Sequence, residues 1–196
     1  RAADRDVTRQ QKALHERLRE MMAGIPQIQS VWVWNNRGAP LVTNRFLPVP
    51  EGLNVSDRDY FRWCRDNRDG WFVSAPLISR ATGEPFFDIS RRREHVDGGF
   101  AGVISVSLRP SYFEEFYRRL VESEPGLSLA LLTTDGAFVA RWPQLSDLQT
   151  RLPADSPVQR ALKNGETSGA FAGTSQIEGR ERLLAFRKIG KYPLHV

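Results

Sequence analysis

The chain has 196 residues and a net charge of +5, with 24 arginines but only 4 lysines among its 28 basic residues. A hydrophobic fraction of 40% with 26% charged residues is typical of a globular chain of one large or two small domains, and it excludes disordered and collagen-like classes. The single cysteine, Cys64, excludes a disulfide framework and a multi-cysteine zinc site, and no apolar run is long enough to cross a bilayer.

The arginines are spread along the whole chain and most have an acid within a few positions, as in Asp57-Arg58-Asp59. Acidic residues also flank the clusters Arg91-Arg92-Arg93 and Arg118-Arg119. Phosphate binding needs basic groups concentrated on one face, so this pattern indicates a solvated surface of mixed charge. We therefore expect no nucleic-acid partner, despite a sequence pI of about 9.8.

The first predicted element is a helix over residues 3–23, ended by Gly24 and Pro26. Its apolar side chains form a stripe with heptad-like spacing: Val7, Leu14, Leu18, Met21 and Ile25. Such a stripe is typical of a helix packed on a core or of a coiled-coil stalk and dimer contact. The sequence leaves both interpretations open.

The pattern then changes to alternation, which predicts a hairpin of two strands around the turn Asn35–Gly38. A helix capped by Ser56-Asp57 follows, and later strands lead to an amphipathic helix. The predicted elements of this half are strands at 30–34 and 39–43, a helix at 56–67, strands at 70–74, 85–90 and 100–108, and a helix at 110–122.

The same order of elements then begins again, which suggests two duplicated lobes. Gly136 follows Gly38 by 98 residues at the turn of a second predicted hairpin. The further elements are strands at 127–133 and 137–141, a helix at 156–164, strands at 169–172 and 182–187, and a last strand at 192–196 that looks cut short. The prediction is an α+β fold whose antiparallel sheets carry helices on one face.

Motifs for catalysis are missing from the sequence. There is no nucleophile elbow, and His15, His95 and His195 are far apart in unlike contexts. Metal-ligand spacings are also missing, and Cys64, without a nearby histidine, is interpreted as an inert thiol. We therefore expect neither an enzyme nor a cofactor or metal site.

Four segments together resemble the double Cache family, the extracytoplasmic sensor modules of bacterial histidine kinases, diguanylate cyclases and chemoreceptors. The segments are Val55–Phe61, Phe72–Pro76, Thr82–Arg92 and Gly102–Leu108, followed by Tyr112-Phe113. The likeness covers essentially the whole chain, and its motifs are specific in combination rather than singly.

The resemblance implies two PAS-like lobes stacked along a long N-terminal helix. These are a helix at 1–25, a membrane-distal ligand-binding lobe at 26–122 and a membrane-proximal lobe at 123–196, truncated at its C-terminal end. It also implies a periplasmic domain set between two transmembrane helices of an inner-membrane protein. We expect a homodimer through the N-terminal helix in a two-component or related signalling system.

The predicted ligand site rests on the same resemblance. In amino-acid-sensing relatives an arginine followed two positions later by an aromatic residue holds the ligand carboxylate, and Arg58, Tyr60 and Phe61 match that pattern. An alternative is a surface ion pair of Arg58 with Asp57 or Asp59. The other residues of the predicted site are Leu77, Ser79, Phe87 and Ser107.

Three of these positions depart from the amino-acid-sensing pattern. Ser79 and Ser107 stand where such relatives have aspartates for the ligand ammonium, and Leu77 replaces a tyrosine. Dicarboxylate-sensing relatives have a lysine at the position of Ser107. Because an ammonium buried without a counter-charge is costly, a neutral or singly anionic ligand is expected, a carboxylate among the candidates.

Two other functions remain open from the sequence. A ligand-free sensor responding through dimer geometry has the same elements, and so does, with less support, a solute-binding protein or enzyme with a similar lobe.

Overall fold

The computed structural model describes residues 4–124, 126–145 and 150–196, which divide into two compact units at Arg109/Pro110. The predicted α+β class, with antiparallel sheets flanked by helices, is confirmed. Within the described residues, no helix is both long enough and apolar enough to cross a membrane.

The first unit (residues 4–109) is built on a six-stranded antiparallel sheet. The strands have the order β2-β1-β6-β5-β3, and β4 pairs with β5. The elements are α1 (Asp4–Arg9), α2 (Gln11–Met22), β1 (Ile28–Trp34), β2 (Pro40–Thr43), α3 (Asp59–Asp66), β3 (Phe72–Val73), β4 (Leu77–Ile78), β5 (Pro85–Glu94) and β6 (Phe100–Leu108). Strand β4 was not predicted, and β5 runs four residues beyond its predicted end.

The predicted single N-terminal helix is instead two helices, because Gln10 takes φ −99° and ψ 15° between α1 and α2. Its first predicted residue, Ala3, lies outside the described residues. Val7 is buried, and Leu14 and Leu18 pack beside it against the sheet. These three residues of the stripe are therefore core packing within one chain, whereas Met21 is exposed.

Strand alternation divides the first sheet into two faces. Val33 of β1 packs on the side of α1 and α2, whereas Trp32 and Trp34 pack with Tyr60 of α3. Helices thus cover both faces, and the expectation of helices on one face is wrong for this unit. The cause is the packing of the N-terminal helices, which the sequence did not assign to a face of the sheet.

Helix α3 begins at Asp59, three residues after the predicted cap at Ser56. The preceding residues form a turn in which the Arg58 amide donates to the Val55 carbonyl oxygen at 3.0 Å. Arg58 itself occupies the N-cap position in extended geometry, with no capping hydrogen bond from its side chain. From this turn the Arg58 side chain reaches β4, where its Nη2 donates to the Ile78 carbonyl oxygen at 2.9 Å.

The second unit begins with the helix that follows β6. This helix, α4, packs against β7 and β8, whereas the predicted lobe boundary at residue 122 placed it in the first lobe. The strands form a three-stranded sheet, β11-β7-β8, and a hairpin, β9-β10. The elements are α4 (Pro110–Val121), β7 (Leu129–Thr133), β8 (Phe138–Trp142), α5 (Pro157–Lys163), β9 (Ser168–Thr174), β10 (Glu181–Arg187) and β11 (Leu194–His195).

Gly102 fixes the contact between β6 and the end of β1, and its replacement tests this packing. Its φ is +122°, and a Cβ there would overlap the carbonyl oxygen of Trp34. We expect Gly102→Ala to lower the free energy of unfolding by about 3 kcal/mol, measured by urea denaturation.

The matched control is Gly52→Ala, since Gly52 also has a positive φ, +72°, but has open space where a Cβ would stand. This control carries only the cost of a left-handed backbone, about 1–2 kcal/mol. Equal losses of unfolding free energy in the two variants would contradict the close approach at Gly102.

Candidate ligand-binding site

The floor of the candidate site is the face of the first sheet that carries α3. Strand pairing places Ser30, Ser107 and Asp88 side by side, because Ser107 of β6 is the partner of both Ser30 and Asp88. The next row, in the same order of strands, consists of Trp32, Ser105 and Ser90. This face therefore combines indole rings, hydroxyls and one carboxyl group.

Two stacked indoles form one wall of the site. The rings of Trp32 and Trp34 have centroids 4.9 Å apart and planes inclined by 13°. Trp32 Nε1 donates to Ser30 Oγ and Trp34 Nε1 donates to Ser105 Oγ, each at 2.9 Å. With their polar atoms satisfied, the rings present a fixed apolar surface.

Arg58 borders the same site, and within the described residues its guanidinium has no acidic partner. Its Nη2 donates to the Ile78 carbonyl oxygen at 2.9 Å. Asp57 is bound instead by both terminal nitrogens of Arg80, at 2.7 and 2.6 Å, and Asp59 pairs with Arg62 at 2.6 Å. The ion pair considered as the alternative for Arg58 is therefore not formed, and its remaining donors are available to a ligand.

These groups surround a cavity of about 30 Å³. That is roughly the volume that one water molecule occupies in the liquid, so an amino-acid-sized molecule enters only if the lining moves. The lining residues are Gln29, Ser30, Trp32, Trp34, Arg45, Leu53, Val55, Arg58, Tyr60, Ser79, Arg80, Ala81, Thr82, Phe86, Asp88 and Ser107. Three arginines and one acid are among them, and two of the arginines, Arg80 and Arg45, pair with Asp57 and Glu84 outside the lining.

Asp88 is the residue that the sequence analysis missed. Its side chain is 1% exposed, and Ser107 Oγ donates to Asp88 Oδ1 at 2.7 Å. Burial raises the pKa of Asp88 to about 7, against the opposing effects of the Ser107 and Ser105 hydroxyls and of the Arg58 charge. The carboxyl is therefore divided between its neutral and ionised forms near neutral pH.

The presence of Asp88 corrects the premise that this lobe lacks an acid. The acid lies in β5, directly across from Ser107, rather than in β6, where the resemblance leads one to look for it. A signal was present in the sequence, since an aspartate interrupts the apolar run from Phe86 to Ile89. The pairing of β5 with β6 was needed to assign it to this face.

Four of the seven predicted site residues line the cavity: Arg58, Tyr60, Ser79 and Ser107. Burial raises the pKa of Tyr60 well above its ordinary value, and the Asp88 charge acts in the same direction, so the phenol stays protonated.

The other three predicted residues lie outside the lining. Phe61 is 1% exposed within the core beside α3, and Leu77 packs against that core. Phe87 is fully buried, and strand alternation turns it to the face opposite Asp88.

Cys64 is also part of the core beside α3. It is fully buried, and this burial raises the pKa of its thiol to about 12, in agreement with an inert cysteine. No group of three or more His, Cys, Asp or Glu side chains in the described ranges is placed to hold a metal ion.

A second cavity of about 680 Å³ lies in the second unit and has a mostly apolar lining. It is bordered by β7 and β10. In the described part of the chain, only residues 194–196 pair with the edges of these two strands that face each other. Unpaired strand edges beside an apolar lining suit an extended backbone. The smaller cavity, with its convergent charged groups, is the better candidate for a small ligand.

Comparison with solved structures shows a histidine kinase sensor domain among the similar proteins. The extracellular domain of rpHK1S-Z16, described as a histidine kinase, is 32% identical with a TM-score of 0.77, and the match covers 98% of this chain and 80% of that chain. A family model described as dCache_1-like, a histidine kinase sensor domain, matches residues 110–196. The comparison with curated proteins gives no match.

More distant structures share the fold and contain bound ligands. The ligand-binding domain of the Pseudomonas aeruginosa PAO1 amino acid chemoreceptor PctC, in complex with GABA, is 16% identical with a TM-score of 0.56, over 94% of this chain and 81% of that chain. The ligand-binding domain of the Campylobacter jejuni chemoreceptor Tlp3, in complex with L-norvaline, is 19% identical with a TM-score of 0.54, over 95% of this chain and 70% of that chain.

Burial of Asp88 has a consequence for stability. The Asp88 carboxyl has its ordinary pKa of 3.8 in the unfolded protein and a pKa of about 7 in the folded protein. Between these pH values the folded state keeps a proton that the unfolded state has lost. Stability from this group is therefore complete below about pH 4 and declines as the pH rises through 7, by on the order of 4 kcal/mol.

Asp88→Asn removes this titration, and we expect the variant to be the more stable protein at pH 8. The measurement is the free energy of unfolding by urea at several pH values between about 4 and 8. Asp59→Asn is the control, because Asp59 is exposed and pairs with Arg62. Parallel pH profiles for wild type and Asp88→Asn would contradict the buried, protonated carboxyl.

Proposed function

This chain belongs to the double Cache family of histidine kinase sensor domains, and we propose that its first unit binds a small organic carboxylate as the signal of a membrane-bound receptor. The relatives named above are sensor or ligand-binding domains rather than enzymes, and the domain is accordingly non-enzymatic and extracytoplasmic. The proposal adds the ligand class, a periplasmic position and attachment to the inner membrane.

The observation that carries the ligand class is the Arg58 guanidinium at the cavity, which has no acidic partner within the described residues. Its two flanking acids are each bound by another arginine, so their charges are compensated elsewhere. A guanidinium offers two parallel donors to a carboxylate, which gives both affinity and orientation. The GABA and L-norvaline bound by PctC and Tlp3 each carry a carboxylate, which agrees with this choice.

The ligand class differs from the sequence-based expectation in one respect. A neutral or singly anionic ligand was expected because no acid was assigned to the lobe. Asp88 removes that reason, since a carboxyl on the cavity wall is able to compensate a cationic group. The proposal accordingly requires a carboxylate on the ligand and does not restrict its remaining charge.

Signal transfer would follow from the difference in ligand affinity between two conformations. In this proposal, ligand binding favours an arrangement in which the cavity of about 30 Å³ is wider. A homodimer through the N-terminal helices remains a prediction. Of the predicted stripe, Met21 is 57% exposed, whereas Val7 is used in packing within the chain.

A ligand-free sensor module is the second candidate, and the small size of the cavity favours it. In that case the described packing of α3 on the sheet is the working state, and no carboxylate stabilises the protein. The ligand screen described next separates the two functions.

We expect a carboxylate at 100 times its dissociation constant to stabilise the protein by ~2.7 kcal/mol, visible as an increase in Tm. Suitable probes are L-norvaline, GABA, pentanoate and butyrate, with pentanamide as the uncharged analogue. Arg58→Ala should weaken binding by about 10- to 100-fold through loss of charge-assisted hydrogen bonds, measured by isothermal titration calorimetry.

Arg62→Ala is the matched control, since Arg62 also lies in the α3 segment but pairs with Asp59 on the surface. Unchanged affinity in Arg62→Ala with loss in Arg58→Ala supports the proposal. Failure of all four carboxylates to stabilise the protein would support the ligand-free module, and equal binding by Arg58→Ala would exclude Arg58 as the carboxylate contact.

A further inference from the structure

We propose that ligand binding at this site is coupled to the proton of Asp88, so that a cationic nitrogen on the ligand takes the place of that proton. The inference rests on the proposed function, because it concerns a second contact made by the same bound ligand. It assigns to Asp88 the roles of specificity determinant and of pH sensor for the cavity.

The geometry leaves the Asp88 carboxyl without a paired cation among the described residues. Asp88 is 1% exposed and lies on the cavity wall. Its Oδ1 accepts from Ser107 Oγ at 2.7 Å, and its backbone amide donates to Ser74 Oγ at 2.9 Å. Within the described residues, no basic side chain lies within 4 Å of its carboxylate oxygens.

The charged and titratable groups around Asp88 do not neutralise it. From the α3 side these groups are Arg58, Tyr60 and the Cys64 thiol; from the loops they are Arg45 and Arg80. Arg80 is committed to Asp57, and Arg45 lies 3.3 Å from Glu84. Tyr60 and Cys64 remain neutral, since burial raises the pKa of both.

The neighbours on the sheet are the Ser105 and Ser107 hydroxyls and the two indoles, none of which carries a charge. The positive charge of Arg58 therefore acts on Asp88 only at a distance, and it is the group proposed to hold the ligand carboxylate. Once a carboxylate occupies Arg58, this favourable effect on the ionised form of Asp88 is reduced. Asp88 then ionises only if the ligand also brings a cation.

The proton balance follows from this arrangement. An ammonium-bearing ligand binds the ionised carboxyl, so the protonated fraction of Asp88 releases its proton to the buffer. A ligand with a carboxylate alone binds better to the neutral carboxyl, because an ionised Asp88 would repel it. The two ligand classes therefore have opposite pH dependences at one site.

The test measures the affinities of L-norvaline and pentanoate from about pH 5.5 to 8 by calorimetry. The L-norvaline affinity should rise by up to tenfold for each pH unit below about 7 and then level off, because protonated Asp88 must lose its proton. The pentanoate affinity should fall over the same range. Titrations in two buffers of different ionisation enthalpy count the protons released, and this readout uses the wild-type protein alone.

Asp88→Asn should remove both pH dependences and weaken L-norvaline by more than tenfold at pH 8, while pentanoate binding remains. The control Asp59→Asn, which replaces an exposed acid of α3, should change neither the pH dependences nor the L-norvaline affinity.

A pH-independent L-norvaline affinity without proton release would overturn the inference, as would binding of pentanoate alone. In either case the carboxylate contact at Arg58 would stand. If neither compound binds and the screen of carboxylates also fails, the proposed function and this inference are both overturned.

Discussion

A carboxyl group buried on the inner face of a sheet must be protonated, hydrogen-bonded or paired with a cation, because an isolated charge in an apolar surrounding costs far more than the fold can offset. Asp88 meets this constraint with the hydroxyls of Ser107 and Ser105 and with a proton. The order of β1, β6 and β5 places these groups in adjacent positions. The indole wall and the serine rows depend on the same strand register.

The charged side chains that line the cavity form two groups, those paired with an opposite charge and those without such a partner. Arg80 and Arg45 are compensated by Asp57 and Glu84, whereas Arg58 and Asp88 have no partner of opposite charge within 4 Å in the described ranges. A ligand with both a carboxylate and a cationic nitrogen compensates both groups at once. Since Arg58 immediately precedes α3, the proposed carboxylate contact would lie at the N-terminal end of this helix.

Much of the fold could be predicted from the sequence, because alternation and turn residues are local signals. The hairpin at Asn35–Gly38 and the strand at 100–108 follow from these signals. Arg58 and Tyr60, which line the cavity, were indicated by the resemblance to double Cache domains and not by a local signal. Features that depend on contacts between distant segments were missed. The packing of α4 on β8 is of this kind.

The same reason applies to the predicted site residues. Phe86 and Asp88 line the cavity and Phe87 does not, because the phase of alternation in β5 is fixed only by its pairing with β6. A search for an acid at Ser107 missed one on the adjacent strand, since strand partners are about 5 Å apart in space but 19 residues apart in sequence here.

The position of a bound ligand relative to Arg58 and Asp88 tests the central claim most directly. A crystal structure of the protein with L-norvaline at pH 8 would show it. The account predicts that the ligand carboxylate lies within hydrogen-bond distance of the Arg58 guanidinium and that its nitrogen lies about 3 Å from the Asp88 carboxylate. A ligand nitrogen directed away from Asp88, with the carboxyl still bound only by serine hydroxyls, would contradict it.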